Sequence, residues 1–178
     1  MSTSTISPSY LARPAFFVVA VPKLLIMTFF TSGLYLLFWY LRNWDLYRRA
    51  SSSVMLWPRI LWPECFLYSL LNRVDQRIRA SGRCYRWSPW WLACGLLLCF
   101  FGGFYLLMLM LPMPRFALAL LLAVVVFHSV LAQIQRAINF CEGDPHGAGN
   151  AHLTVINWLW IAIVTSGWLV VGDLWSRE

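Results

Sequence analysis

Residues 87–111 read WSPWWLACGLLLCFFGGFYLLMLML and residues 116–135 read FALALLLAVVVFHSVLAQIQ, with only Pro112-Met113-Pro114-Arg115 between them. Neither stretch contains Asp, Glu, Lys or Arg. A hydrocarbon core of about 30 Å needs about 20 mostly apolar helical residues, so each stretch predicts a membrane-crossing helix. So short a link forces the two into an antiparallel hairpin. Two further charge-free stretches lie at 24–41 and 153–172. The expected fold is therefore all-α, one integral membrane domain over residues 1–178. It is a polytopic bundle of four transmembrane helices (24–41, 87–111, 116–135, 153–172) with one amphipathic helix, interfacial or re-entrant, over about 58–80.

Composition supports the same class. The chain is 60% hydrophobic and only 12% charged, against about 25% charged residues in soluble domains. Eleven Trp and seven Tyr suit a protein whose amphipathic rings gather at the headgroup level. The net charge of +7 is then explained by an anionic membrane surface, without nucleic acid. Five cysteines, odd in number and with no C-x-x-C pair, read as free thiols.

Basic residues set the expected orientation. Nine of the fourteen fall between Arg42 and Arg86, and a Lys/Arg excess in short loops marks the cytoplasmic side. Four spans then place segment 42–86 in the cytoplasm and both termini in the periplasm of a bacterial inner membrane. Within 58–80, Ile60, Leu67, Leu71, Val74 and Ile78 recur at helical spacing, with Arg73, Arg77 and Arg79 largely opposite. That pattern predicts a helix lying on anionic headgroups, which Arg42, Arg48, Arg49, Arg73, Arg77 and Arg79 would hold.

Helices in lipid associate through small residues and polar pairs. Gly95, Cys99 and Gly103 recur every fourth position, Ala119 and Ala123 repeat the spacing, and Gly33 offers close approach in the first span. Asn157 and Thr165 share a face of the last span, from which Asn157 is expected to bond across to another helix. His128 is the one titratable group well inside a span and marks a polar pathway if there is one.

No catalytic signature is present: no G-x-S-x-G, H-E-x-x-H, P-loop or G-x-G-x-x-G, and no carboxylate in any span. The loop Cys141–His146 with His152 holds metal-ligand types but none of the known spacings. No enzyme, cofactor or metal is expected.

The run Thr31-Ser32-Gly33-Leu34-Tyr35, with Trp39 and then Arg42-Asn43-Trp44, forms T-x-G-x-Y-x-x-x-W leading into R-N-W. It resembles a family of small bacterial inner-membrane proteins of unknown function, as does the stretch from Gln135-Arg136-Ala137-Ile138-Asn139 to Asn157-Trp158. The resemblance implies a bacterial multi-pass protein and brings no activity. From the residues themselves, the expected function is non-catalytic intramembrane binding of a protein partner. Such a protein could be an immunity factor neutralising a membrane-inserted toxin, an accessory subunit, or a self-associating chain. The alternative is a small oligomeric transporter or channel using His128.

Overall fold

The structure, a computed structural model, describes residues 14–51, 55, 57–109 and 112–177. Residues 1–13 of the expected domain and positions 110–111 of the second expected span lie outside the described residues. Among the described residues there are seven α-helices, one 3-10 turn and no strand. The helices are α1 (Val21–Phe30), α2 (Leu34–Ser51), α3 (Trp57–Leu61), α4 (Pro63–Ala80), α5 (Pro89–Met108), α6 (Met113–Glu142) and α7 (Val155–Trp175). Two are long and apolar enough to cross a bilayer: α6, and α7 over Val155–Leu174.

The expected continuous helix over 24–41 does not form. Thr31-Ser32-Gly33 ends α1 and starts α2 in the opposite direction. The Gly33 N–H donates to Thr28 O at 2.9 Å and the Ser32 N–H to Phe29 O at 3.2 Å, the paired bonds that close a Schellman terminus. Ser32 (φ 50°) and Gly33 (φ 86°) both take the left-handed conformation, which a glycine adopts without strain. The Thr31 hydroxyl donates to Met27 O at 2.6 Å and accepts from the Tyr35 N–H at 3.0 Å, capping both helices at once. Gly33 is therefore a turn residue; a Cβ there would touch nothing within 4 Å.

Contacts with α6 fix the hairpin. Phe29, near the end of α1, stands 6.0 Å from the His128 ring. Trp39 on α2 donates its indole N–H to Gln135 Oε1 at 2.6 Å. So α1 runs antiparallel to α6 and α2 returns parallel to it. Phe16, before α1, stacks on Tyr47 near the end of α2 at 5.6 Å. A straight helix would hold positions 21 and 47 about 39 Å apart at 1.5 Å per residue. Residues 14–20 and 43–47 instead share one end of the molecule, which corrects the expectation that the first helix carries them to opposite sides.

The segment from Pro14 to Ala20 forms an extended strap with Ala15, Phe16 and Val19 fully buried. An extended chain in a helical core has no ladder to satisfy its backbone, and buried N–H and C=O groups need partners. Amide side chains supply them. Phe17 N–H donates to Asn43 Oδ1 (3.0 Å) and Phe17 O accepts from Gln135 Nε2 (3.0 Å). Val19 is held at both groups by Asn139, whose Oδ1 accepts at 3.3 Å and whose Nδ2 donates at 2.9 Å. Glu142 takes the Ala15 N–H at 3.2 Å, and Asn150 Nδ2 donates to Val18 O at 3.2 Å on the other edge.

The 58–80 segment is two helices, broken at Trp62 ahead of Pro63. The apolar stripe of α4 faces protein: Leu67, Leu70, Leu71, Val74 and Ile78 belong to the core against α5 and α6. The helix expected at the interface thus buries its apolar stripe in protein, since the amphipathic pattern is equally met by a helix covering the end of a bundle. The helices α5 and α6 form the expected antiparallel hairpin, with Gly95 packed on Val130 (3.5 Å from an added Cβ).

Candidate functional site

The first turn of α1 carries Lys23, only 5% exposed. Its Nζ donates to Asn150 Oδ1 at 2.6 Å and to His152 O at 2.7 Å. Both acceptors are neutral, and among the described residues no carboxylate pairs with this ammonium. An ammonium has three N–H donors, so two are used here. Lys23 lines a groove of about 580 Å³ between α1, α2 and the start of α7. Asn150, Thr154 and Asn157 line the groove with it as polar residues, while Met27, Leu37, Phe38 and Trp160 make much of the rest apolar.

The loop from Gly143 to Thr154 positions that polar end. Gly147 has φ +66°, and a Cβ there would sit 2.4–2.5 Å from the Val19 and Ala20 backbone. Only glycine lets the loop close over the strap. Asp144 accepts from the Ala148 and Gly149 N–H groups at 3.0 Å each, and these bonds, Gly149 first, hold its carboxyl below the usual carboxylate range. Thr154 and Asn157 then form a capping box at the start of α7. The expected bond from Asn157 to another helix is thereby corrected: its Oδ1 accepts from the Thr154 N–H and hydroxyl, both at 3.0 Å, on its own helix.

The six arginines expected to hold headgroups are engaged within the chain. Arg42, Arg48 and Arg49 converge on Asp45 at 3.3, 3.2 and 2.8 Å. Arg79 pairs with Asp75 (2.7 Å) and Arg77 with Glu142 (3.6 Å). Arg73 donates to the Tyr47 hydroxyl at 2.6 Å and lies over the Tyr47 and Trp44 rings. Arg83 donates to the carbonyls of Phe140 and Cys141 at the end of α6, where a cation meets the negative end of the helix dipole.

The small residues are scattered. Gly95 faces α6; a Cβ at Gly103 would meet nothing within 4 Å; Cys99, Ala119 and Ala123 are half-buried. Thr165 is exposed on α7. His128 is half-buried between Phe29 and Phe127, its Nδ1 2.8 Å from Val124 O and its buried Nε2 without a partner. Among the described residues, no group of His, Cys, Asp or Glu is placed to hold a metal ion.

Sequence reasoning overlooked Lys23, Asn43, Gln135, Asn139 and Asn150. Four are uncharged amides, and Gln135 and Asn139 lie four apart on one helical face, a readable sign of a polar seam in an apolar helix. No protein-family model, curated protein or solved structure matches the chain.

Proposed function

We propose that the protein is a non-catalytic integral-membrane binding protein of the bacterial inner membrane, recognising another membrane-inserted helix through α7. In this reading α5, α6 and α7 cross the bilayer and α1–α2 is a re-entrant hairpin. If Phe116–Gln135 spans the hydrocarbon, His128 lies about 18 Å from one boundary and 10 Å from the other. The α1–α2 turn beside it is then near mid-membrane. The basic end, with the strap, faces the cytoplasm, and the C-terminus faces the periplasm.

The observation that carries the binding role is the isolation of α7. Among the described residues it packs on α1 and adds one bond, Trp168 Nε1 to Ser32 Oγ at 2.8 Å. Only 6% of its apolar window is buried. Its Ala162, Thr165 and Ser166 are exposed, the small and hydroxyl-bearing residues through which helices approach in lipid. An immunity factor facing a membrane-active toxin and an accessory subunit are two forms such a protein takes.

The test is site-specific photo-cross-linking of the full chain in native membranes. A cross-linker at Ser166 is expected to capture one polypeptide, lost in Ala162→Leu. One at exposed Leu121 of α6 is expected to capture lipid. Lipid adducts alone from both positions would remove the proposal.

A further inference from the structure

We propose that the groove between α1, α2 and α7 is a binding site for an anionic phospholipid, whose phosphodiester pairs with Lys23 and whose acyl chain lies against the apolar wall. The site is independent of the partner-binding face proposed for α7.

Three observations converge on it. A buried cation is costly unless an anion offsets it, and Lys23, with only neutral acceptors, has no anion among the described residues. The groove beside it, about 580 Å³, falls within the about 300–1,000 Å³ range of ligand sites. Its chemistry is divided along its length. Lys23, Asn150 and Asn157 gather where α1 and α7 begin, while Met27 and Leu34 lie toward the α1–α2 turn. That is the layout of a headgroup with a chain beneath it.

Two further features favour an anionic lipid. The α7 N-terminus borders the polar end, where Thr154 caps the Asn157 N–H and the positive end of the helix dipole still favours an anion. The site also lies at the arginine-rich end, read here as the cytoplasmic leaflet, where anionic lipids are enriched. A partner helix is the less suited occupant, since an uncompensated ammonium would demand a carboxylate placed at one point along it.

Native mass spectrometry of the full chain from micelles with equimolar phosphatidylglycerol and phosphatidylcholine of matched chains tests the site. The wild type is expected to retain phosphatidylglycerol about tenfold over phosphatidylcholine. Lys23→Gln is expected to bring that preference to about one, with Arg115→Gln leaving it intact. Leu37→Trp, which fills the groove without changing charge, is expected to lose the adduct, so the proposal stays testable if Lys23→Gln does not fold. A wild type without preference, a preference surviving Lys23→Gln, or an adduct surviving Leu37→Trp would each overturn it.

Discussion

Asn139→Ala removes the residue that holds the strap most completely. Asn139 is fully buried, and its side chain serves both the N–H (3.3 Å) and the C=O (2.9 Å) of Val19 while accepting from Gln135 Nε2 at 2.7 Å. Gln135 Nε2 keeps a second acceptor, Phe17 O at 3.0 Å, so its loss is partial. The two Val19 groups are left with no partner. A buried orphan costs about 1–3 kcal/mol, so the substitution should destabilise by about 2–6 kcal/mol. At about 2–4 °C per kcal/mol for a chain of this size, the thermal midpoint of the purified protein should fall by roughly 4–24 °C. The strap should also loosen locally. A Val19→Cys probe, shielded in the parent, should react with maleimide in the Asn139→Ala background. An unchanged midpoint with the probe still shielded would refute the claim that amide side chains hold this segment in place.

Further consequences follow from the same contacts. Gly147→Ala should destabilise by at least about 2 kcal/mol, from left-handed strain and a clash with backbone that cannot give. Gly149→Ala, whose Cβ meets only Asp144 Oδ2 at 3.7 Å, should leave the melting curve near that of the parent. Trp39→Phe orphans the Gln135 Oε1 acceptor, since the indole N–H bond at 2.6 Å is lost, and should cost about 1–3 kcal/mol by thermal denaturation. The depressed Asp144 carboxyl contributes stability above its unfolded value of about 3.9, lost as pH falls through the lower folded value. The melting midpoint should therefore decline less steeply below about pH 4 in Asp144→Asn than in the parent.

Long apolar runs made α5, α6 and α7 legible: the expected 87–111, 116–135 and 153–172 correspond to Pro89–Met108, Met113–Glu142 and Val155–Trp175. Hydropathy cannot register a reversal of direction, so Thr31-Ser32-Gly33, apolar on both flanks, passed for mid-helix. The signal was local, a glycine after two hydroxyl residues, and only the fold decides whether such a triplet packs or turns. The strap was illegible for a different reason. Pro14–Ala20 has no helical or strand periodicity of its own, and its partners lie 26 to 132 residues away. The T-x-G-x-Y-x-x-x-W…R-N-W run now has a physical reading. Thr31 and Gly33 make the turn, Tyr35 and Trp44 are core, Trp39 binds Gln135, and Asn43 binds Phe17. The Lys23 groove was missed because one lysine at an expected span boundary looks like an interfacial anchor. Its burial arises only when the strap and the 143–154 loop fold over it.

Membrane-impermeant thiol labelling on a background lacking the five native cysteines tests the topology most directly. Probes at exposed Pro14, Ala50, Arg115 and Arg177 report on each end of the molecule. A re-entrant α1–α2 followed by three crossings predicts that Pro14→Cys and Ala50→Cys label from the cytoplasmic face, and Arg115→Cys and Arg177→Cys from the periplasmic face. Labelling of Pro14→Cys and Ala50→Cys from opposite faces would contradict it.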